Sequence, residues 1–396
     1  MRPHSKMTLD LNSAHKSLWQ WCRARSFAGY DPYDALNSRL FQATPLKHSR
    51  LARLAWTQFH KHSPINFRPL VRIPREKNSK GIALFALAAL AEYRRSKTKE
   101  AEIEARELLE DLMRMRLGGF KGAAWGYNFD WQSRTFLAPR GTPTIVPTAF
   151  AARALCEAAD VFGAEEYLPF ARTVCDFILN DLNRSEETET EVCFSYSPLD
   201  QTRVFNASLL AGETLATLGR LTGEVSLCDW AMRAARYVVR RQRPDGSWAY
   251  GGDDHQSWVD NFHTAFILGS LSRIIEFCES AQDELEPALV RGYEFWKERF
   301  FLGNGWPKYY PDRLYPADVH SAASAIVTLV ELRARVPDAL NQAEQIARWA
   351  IENLRDDRGL FYYQRRRFHK VRIPYMRWSE AWMAYALARL LEGQSD

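Results

Sequence analysis

The fold turns on residues 258–274, which read Trp258-Val-Asp-Asn-Phe-His-Thr-Ala-Phe-Ile-Leu-Gly-Ser-Leu-Ser-Arg-Ile. The segment opens as an aromatic, polar loop and passes at His263 into a run of small and apolar residues. Such a run suits a helix packed over most of its surface. The same passage recurs along the chain. Helix starts stand at Gly81-Ile-Ala-Leu-Phe, Thr148-Ala-Phe-Ala-Ala, Asn206-Ala-Ser-Leu-Leu, His320-Ser-Ala-Ala-Ser and Glu380-Ala-Trp-Met-Ala, and the five from Thr148 onward, His263 among them, return about every 58 residues. A fixed period of this size is the mark of a repeat architecture.

Between the starts lies a second, more amphipathic helix, as in Tyr167-Leu-Pro-Phe-Ala-Arg-Thr-Val-Cys-Asp-Phe-Ile-Leu, Cys228-Asp-Trp-Ala-Met-Arg-Ala-Ala-Arg-Tyr-Val-Val and Asn341 to Leu354. Apolar residues fall there at three- and four-residue steps. Each period is therefore an outer helix, a loop and an inner helix. Six inner helices close a ring, which removes the exposed ends that an open solenoid must cap. The expected fold is an all-α (α/α)6 toroid, a single domain over residues 29–396 with residues 1–28 as an N-terminal helical extension. Strand signals are weak and confined to loop pieces such as Phe361-Tyr362-Tyr363.

The loop before each inner helix repeats in kind: Trp125-Gly-Tyr-Asn-Phe-Asp130-Trp131, Phe194-Ser-Tyr196, Trp248-Ala-Tyr250, Trp306-Pro-Lys-Tyr309-Tyr310 and Phe361-Tyr362-Tyr363. In a toroid these loops emerge on one rim. Plugging the barrel end is the competing role for such aromatics. The charged and amide residues interleaved among them argue instead for a cup.

Composition limits the function classes. With 13 Trp, 16 Tyr and 22 Phe, the chain has flat rings to spare for core packing and for stacking against sugars. The 53 basic and 48 acidic side chains leave a formal charge of +5, too balanced for a nucleic-acid footprint. Arg365-Arg366-Arg367, and Arg240-Arg241 with Arg243, read as solvated helix ends. Six scattered cysteines without a C-x-x-C pair read as buried free thiols of a reducing compartment. The N-terminus lacks an apolar leader core, and no stretch is long enough to span a bilayer. A cytoplasmic protein is expected, with peripheral membrane contact only through a lipid-linked substrate. Oligomeric state is not legible.

Four chemistries compete for the polar residues at the rim. A metal site would use Asp260 with His263 and Asp318 with His320, but the spacing matches no zinc signature. No metal and no cofactor are expected. Glycoside hydrolysis would use Asp260 as acid with Asp130, Asp318 or Glu380 as partner. Trp258-Val-Asp260-Asn-Phe is similar to the segment bearing the catalytic aspartate of unsaturated glucuronyl hydrolases, which are (α/α)6 barrels. Proton abstraction beside a carboxylate, the chemistry of uronate lyases and C5-epimerases, needs an imidazole or phenol to take and return a proton. It also needs Arg or Asn to neutralise the carboxylate. His263, His320, Tyr309, Tyr310, Asn128, Arg134 and Arg377 supply these roles. Terpene cyclisation is the fourth: Arg241-Gln242-Arg-Pro-Asp245-Gly246-Ser247-Trp248 resembles the structural QW repeat of squalene and hopene cyclases. Their D-x-D-D motif is absent, and Gly251-Gly-Asp253-Asp254-His does not replace it.

At the scale of the chain, Gly29-Tyr-Asp-Pro-Tyr-Asp-Ala-Leu-Asn-Ser38, Ile65-Asn-Phe-Arg-Pro-Leu70, Trp125-Gly-Tyr-Asn-Phe-Asp-Trp-Gln-Ser-Arg134, Trp258-Val-Asp-Asn-Phe-His-Thr264, Tyr315-Pro-Ala-Asp-Val-His320 and Ile373-Pro-Tyr-Met-Arg-Trp378 resemble the blocks of VpsJ-type polysaccharide-biosynthesis proteins. The resemblance runs from about residue 28 to 390. It implies a squalene-cyclase-like toroid working in exopolysaccharide or glycan clusters, and carries no catalytic assignment.

The expectation is a carbohydrate-active enzyme acting on an anionic, uronate-containing glycan in an epimerase- or lyase-like reaction. A glycosidase using Asp260 and a non-catalytic glycan-binding or assembly protein are the alternatives. Asp260, His263, His320, Asp318, Tyr309 and Tyr310 are the expected catalytic set. Substrate contacts are expected from Tyr30, Asp31, Arg68, Trp125, Tyr127, Asn128, Asp130 and Trp131, and from Arg134, Asn206, Trp248, Trp258, Tyr363, Arg377, Trp378 and Glu380.

Overall fold

The computed structural model describes residues 11–132 and 137–395. Fourteen α-helices are found among the described residues. They are α1 (Leu11–Arg23), α2 (Arg39–Gln42), α3 (Arg50–His62), α4 (Ser79–Ser96), α5 (Lys99–Arg114), α6 (Ile145–Phe162) and α7 (Ala164–Asn180). They continue with α8 (Phe205–Thr222), α9 (Val225–Val239), α10 (Asn261–Phe277), α11 (Gln282–Phe300), α12 (Val319–Glu331), α13 (Ala339–Leu354) and α14 (Trp382–Gly393). The even helices from α4 to α14 are the inner ring: each packs on the next, and α14 returns to α4. The chain is an (α/α)6 toroid.

Inner and outer helices differ as their sequences require. In α4 every residue from Ser79 to Ala91 is buried, because neighbours surround it on all sides. In α5 burial is confined to Ala101, Ala105, Leu108, Leu109 and Leu112, one stripe facing α4. The boundary drawn at residue 29 does not separate two packing units. Helix α1 lies against α14 and α13, and its Leu11, Ala14, Leu18 and Cys22 belong to the same core as the inner ring. It occupies the sixth outer position, so the first described helix completes the last hairpin.

Strands are short and confined to the rim. They form β1 (Trp131–Gln132) with β2 (Leu137–Ala138), β3 (Arg184–Glu187) with β4 (Val192–Phe194), and an antiparallel β5–β6–β7 set. In that set β5 is Ala317–Asp318, β6 is Gln364–Arg365 and β7 is Lys370–Val371, and Asp318 pairs with Gln364. Phe361-Tyr362-Tyr363 falls just before β6, with Phe361 making one bridge to Arg355.

The repeated aromatic loops have a backbone reason. The first N–H of an inner helix has no partner inside its own helix. Ile145 N donates to the carbonyl of Tyr196, Phe205 N to Tyr250, Asn261 N to Tyr309 and Val319 N to Tyr363, all at 3.0–3.2 Å. Met376 N donates likewise to Tyr30, 2.9 Å away, across the closure of the ring. Each helix tip is thus fastened by the loop of the next hairpin.

Gln242 and Trp248 fasten the outer ring. Gln242 Nε2 donates to the carbonyls of Gly246 and Ala288 on α11, and Trp248 Nε1 donates to Val238 O. Gly246, at φ +87°, makes the turn between them. Trp248 lies against Gly292, where an added Cβ would come within 2.3 Å of the indole.

The opposite end of the ring is closed by charge. Arg153 of α6 pairs with Glu213 of α8 and with Glu331 of α12, and Arg273 of α10 also pairs with Glu331. Ser270 donates to Glu213 at 2.6 Å. This buried cluster joins four inner helices and makes the ring a cup.

Candidate active site

The cup encloses a cavity of about 820 Å³, a size that takes one or a few sugar rings. All six inner-helix starts reach it, through Lys80 of α4, Val146 of α6, Asn206 of α8, Phe262 and His263 of α10, His320 of α12, and Arg377 and Trp378 before α14. The last two ride on a π-helical turn, Met376–Ala381, that leads into α14. Such turns re-aim side chains inside otherwise regular helices.

Asp260 caps α10 and organises the site. One oxygen, Oδ1, accepts from His263 N at 3.0 Å; the other, Oδ2, accepts from Trp258 Nε1 at 3.1 Å and lies 2.7 Å from His263 Nδ1. A carboxylate there puts the imidazole hydrogen on Nδ1 and leaves the Nε2 lone pair free. The His263 ring stands edge-on to Tyr250, itself stacked on Trp258 at 4.4 Å.

His320 is the counterpart. Its ring stacks on Trp378 at 4.3 Å and meets the edge of Trp382 at 4.7 Å, and neither ring nitrogen has a hydrogen-bond partner among the described residues. Burial, reinforced by the charges of Lys80 and Arg377, holds its pKa well below the ordinary histidine value. Both histidines touch the ring of Phe262, with centroids 4.0 and 4.6 Å away.

Lys80 lies on the floor. Its amino nitrogen sits 4.5 Å from the Phe150 centroid, 5.1 Å from Trp382 and 5.3 Å from Phe266, and among the described residues it forms no ion pair. Burial, with Arg377 nearby, drives its pKa well below the lysine range. Lys61, Arg243, Arg313 and Arg366 also line the cavity, against Asp260 and Asp312 among the acids. Asp312 is paired with Arg313, which leaves Lys61, Arg243 and Arg366 against the Asp260 carboxylate on the cavity lining, so the interior is electropositive.

Several expected residues meet in this cavity: Asp260, His263, His320, Tyr309, Tyr310, Tyr127, Trp131, Asn206, Trp258, Arg377 and Trp378. Others lie behind its wall. Asp318 accepts from Gln364 Nε2 at 2.6 Å, from Trp378 Nε1 and from His320 N, joining three elements beneath the surface. Asp31 takes both arms of Arg377 at 2.6 and 2.8 Å, so that guanidinium is already neutralised. Arg68 pairs with Asp34 at 2.7 Å and donates to Asp31 O. Tyr30 is the backbone clip described above. Trp125 and Trp248 are buried hairpin anchors, Trp125 Nε1 donating to Leu112 O, and neither reaches the cavity. Asn128 accepts from Asn78 Nδ2, and Asp130 accepts from Arg140 N outside the cup. Tyr363 packs on Tyr375. Glu380 is wholly buried and takes Phe361 N, and burial raises its pKa well above the carboxylate range. Arg134 lies outside the described residues. Among the described residues no three His, Cys, Asp or Glu side chains converge as a ligand set.

Tyr33, Lys61, His62 and Lys80 line the cavity without having been expected there. Lys80 directly precedes the helix start at Gly81, where a lysine ordinarily reads as a solvated first-turn residue. Only its place on the inner ring marks it.

No protein-family model matches the sequence, and no curated protein matches it. Solved structures do match the fold. A cellobiose 2-epimerase from Bacillus thermoamylovorans aligns over 97% of this chain and 99% of its own, with a TM-score of 0.66 and 13% identity. A D-mannose isomerase aligns over 79% and 86%, with a TM-score of 0.60 and 14% identity. A GH76 α-mannanase from Bacteroides thetaiotaomicron aligns over 82% and 88%, with a TM-score of 0.63 and 12% identity. At these identities the likeness is one of fold.

Proposed function

We propose that this protein is a carbohydrate-active enzyme of glycan biosynthesis or modification that moves a proton on a uronate-containing glycan, in an epimerase- or lyase-like reaction. The observation that carries the reading is the pairing of an aspartate-held His263 with a neutral His320 around one ring of the cup. His263 Nε2 takes the proton beside the substrate carboxylate. The substrate carboxylate favours the ammonium form of Lys80, which takes up a proton from solvent as the substrate binds and then offsets the charge that develops on that carboxylate. His320, neutral at rest, takes up a proton from solvent once the anion has formed beside it. It returns that proton from the other side, inverting the carbon, or hands it to a leaving group that departs from the neighbouring carbon and leaves a double bond. His263 then releases its proton to solvent. Stacked Tyr250 and Trp258 supply a flat wall for a sugar ring. The aligned toroids include enzymes named as a 2-epimerase and an isomerase, which supports proton transfer on sugars as chemistry that this architecture accommodates.

The glycosidase alternative asks Asp260 to protonate a leaving oxygen. Its carboxylate already meets three donors, and its side chain is 1% exposed, which suits it to hold an imidazole. The experiment is incubation with uronate oligosaccharides in deuterated water. Deuterium at C5, or an unsaturated product, is expected, and His263→Gln and His320→Gln each abolish it while ligand binding persists. New reducing ends without exchange would establish the hydrolase instead. Binding without any turnover would make the protein a glycan-binding module.

A further inference from the structure

One segment has a composition that the toroid does not require. Between Asp34 and Glu76 the chain holds no acidic residue and eight Arg and Lys, at positions 39, 47, 50, 53, 61, 68, 72 and 75. The same segment is unusually greasy on its outside. Six of the fourteen large apolar side chains exposed among the described residues fall between residues 40 and 70. Leu51 is 78% exposed, Leu70 73%, Ile65 60% and Phe59 52%. A soluble surface does not ordinarily gather such side chains in one short segment.

Helix α3 explains how the segment faces two ways. Leu54, Gln58 and Lys61, at steps of four and three, line the cavity. Leu51, Ala55 and Phe59, at steps of four, form the exposed stripe. The helix is held in place from both sides, by Arg53 Nε on Gln132 Oε1 at 2.8 Å and by His62 against Arg366. Phe59 stacks on Phe67 and Trp56 on Phe41, so the outer face is a packed platform. Arg39, Arg50 and Arg72 are exposed on the same segment.

We propose that this outer face docks on an anionic lipid bilayer. Exposed apolar side chains set among basic ones, along α3 and the segments beside it, match the boundary between acyl chains and acidic headgroups. A protein partner would have to present both an apolar surface and a dense acidic one, whereas an anionic bilayer presents both by nature. Docking stands on the surface alone. Its use, bringing the cup to a lipid-linked glycan, rests on the proposed function.

The test is flotation of the full chain with vesicles of phosphatidylcholine alone or with about 30% phosphatidylglycerol, at low and high salt. Binding is expected to the anionic vesicles only, and to weaken at high salt because the headgroup attraction is screened. Leu51→Glu with Phe59→Glu is expected to lower partition more than tenfold, and Arg39→Glu with Arg72→Glu severalfold. Because Phe59 stacks on Phe67, Leu51→Glu alone is the control that leaves this packing intact; it should lower partition while circular dichroism and the melting temperature stay unchanged. Deuterium exchange on soluble uronate fragments should also be unchanged in the Leu51/Phe59 variant, which separates docking from chemistry. Absence of flotation at low salt would overturn the proposal, as would binding that the variants leave intact. So would a wild-type dimer without vesicle binding that the Leu51/Phe59 variant converts to a monomer, since the face would then belong to a second copy.

Discussion

Asp260 and Lys80 show what is and is not legible one residue at a time. A cap aspartate three positions before a helical histidine is visible in the sequence, because that spacing is the cap's own geometry. The structure adds that the same carboxylate holds the ring nitrogen of His263. Asp260→Asn should therefore keep the cap and misplace the imidazole hydrogen, lowering C5 exchange by about 10²-fold or more in a deuterium assay. Lys80 was not legible, since nothing local marks a lysine as turned inward over three aromatic faces. Lys80→Met should raise KM for a uronate glycan by about 10- to 100-fold, the value of one charged contact. KM for a neutral glycan of the same length should hardly move. Arg377 fails for the opposite reason. Its type fits carboxylate binding, but its partner Asp31 lies at the other end of the chain, beyond any local pattern.

Helices and loops were more legible than side-chain roles. The 58-residue period gave away the inner helices, since surfaces buried all round must be apolar all round. It could not reveal that α1 belongs to the ring, because α1 is joined to α14 only by packing. Nor could it show that the loop tyrosines serve by their carbonyls, a backbone role on which side-chain identity is silent. The place of α1 can be checked through His15, which is buried and pushed down from 6.5 to about 4 by desolvation and the charge of Arg95. The unfolded chain binds that proton near pH 6.5 and the folded chain does not. The stability that comes from keeping His15 neutral is thus full above pH 6.5 and is lost as the pH falls towards 4. His15→Phe removes this loss. The difference in stability between His15→Phe and the wild type should shift in favour of the variant by up to about 3 kcal/mol between pH 7.5 and 4, read from paired urea melts. A flat difference would mean that α1 leaves His15 in water.

The whole molecule is closed twice, by loops at the mouth and by the Arg153, Glu213, Arg273 and Glu331 cluster at the base. Removing one member leaves a buried arginine without its counter-charge. Glu331→Gln should cost about 3–5 kcal/mol in a urea titration, with little dependence on salt because the cluster is dry. Neither closure could be read from the sequence, since the partners are contributed by four helices spread over some 180 residues. The basic segment from residue 35 to 75 was also hidden, because a whole-chain charge of +5 averages it away. A last consequence follows from the ring itself. All six inner helices present their amino ends to the same cavity. Aligned peptide dipoles place about half a positive charge at such an end. Asp260 and Asp318 offset two of these poles, while α6, α8 and α14 carry no side-chain cap. The backbone therefore sets a positive potential inside the cup that no single substitution can remove, and an anionic group bound there is favoured before any side chain acts.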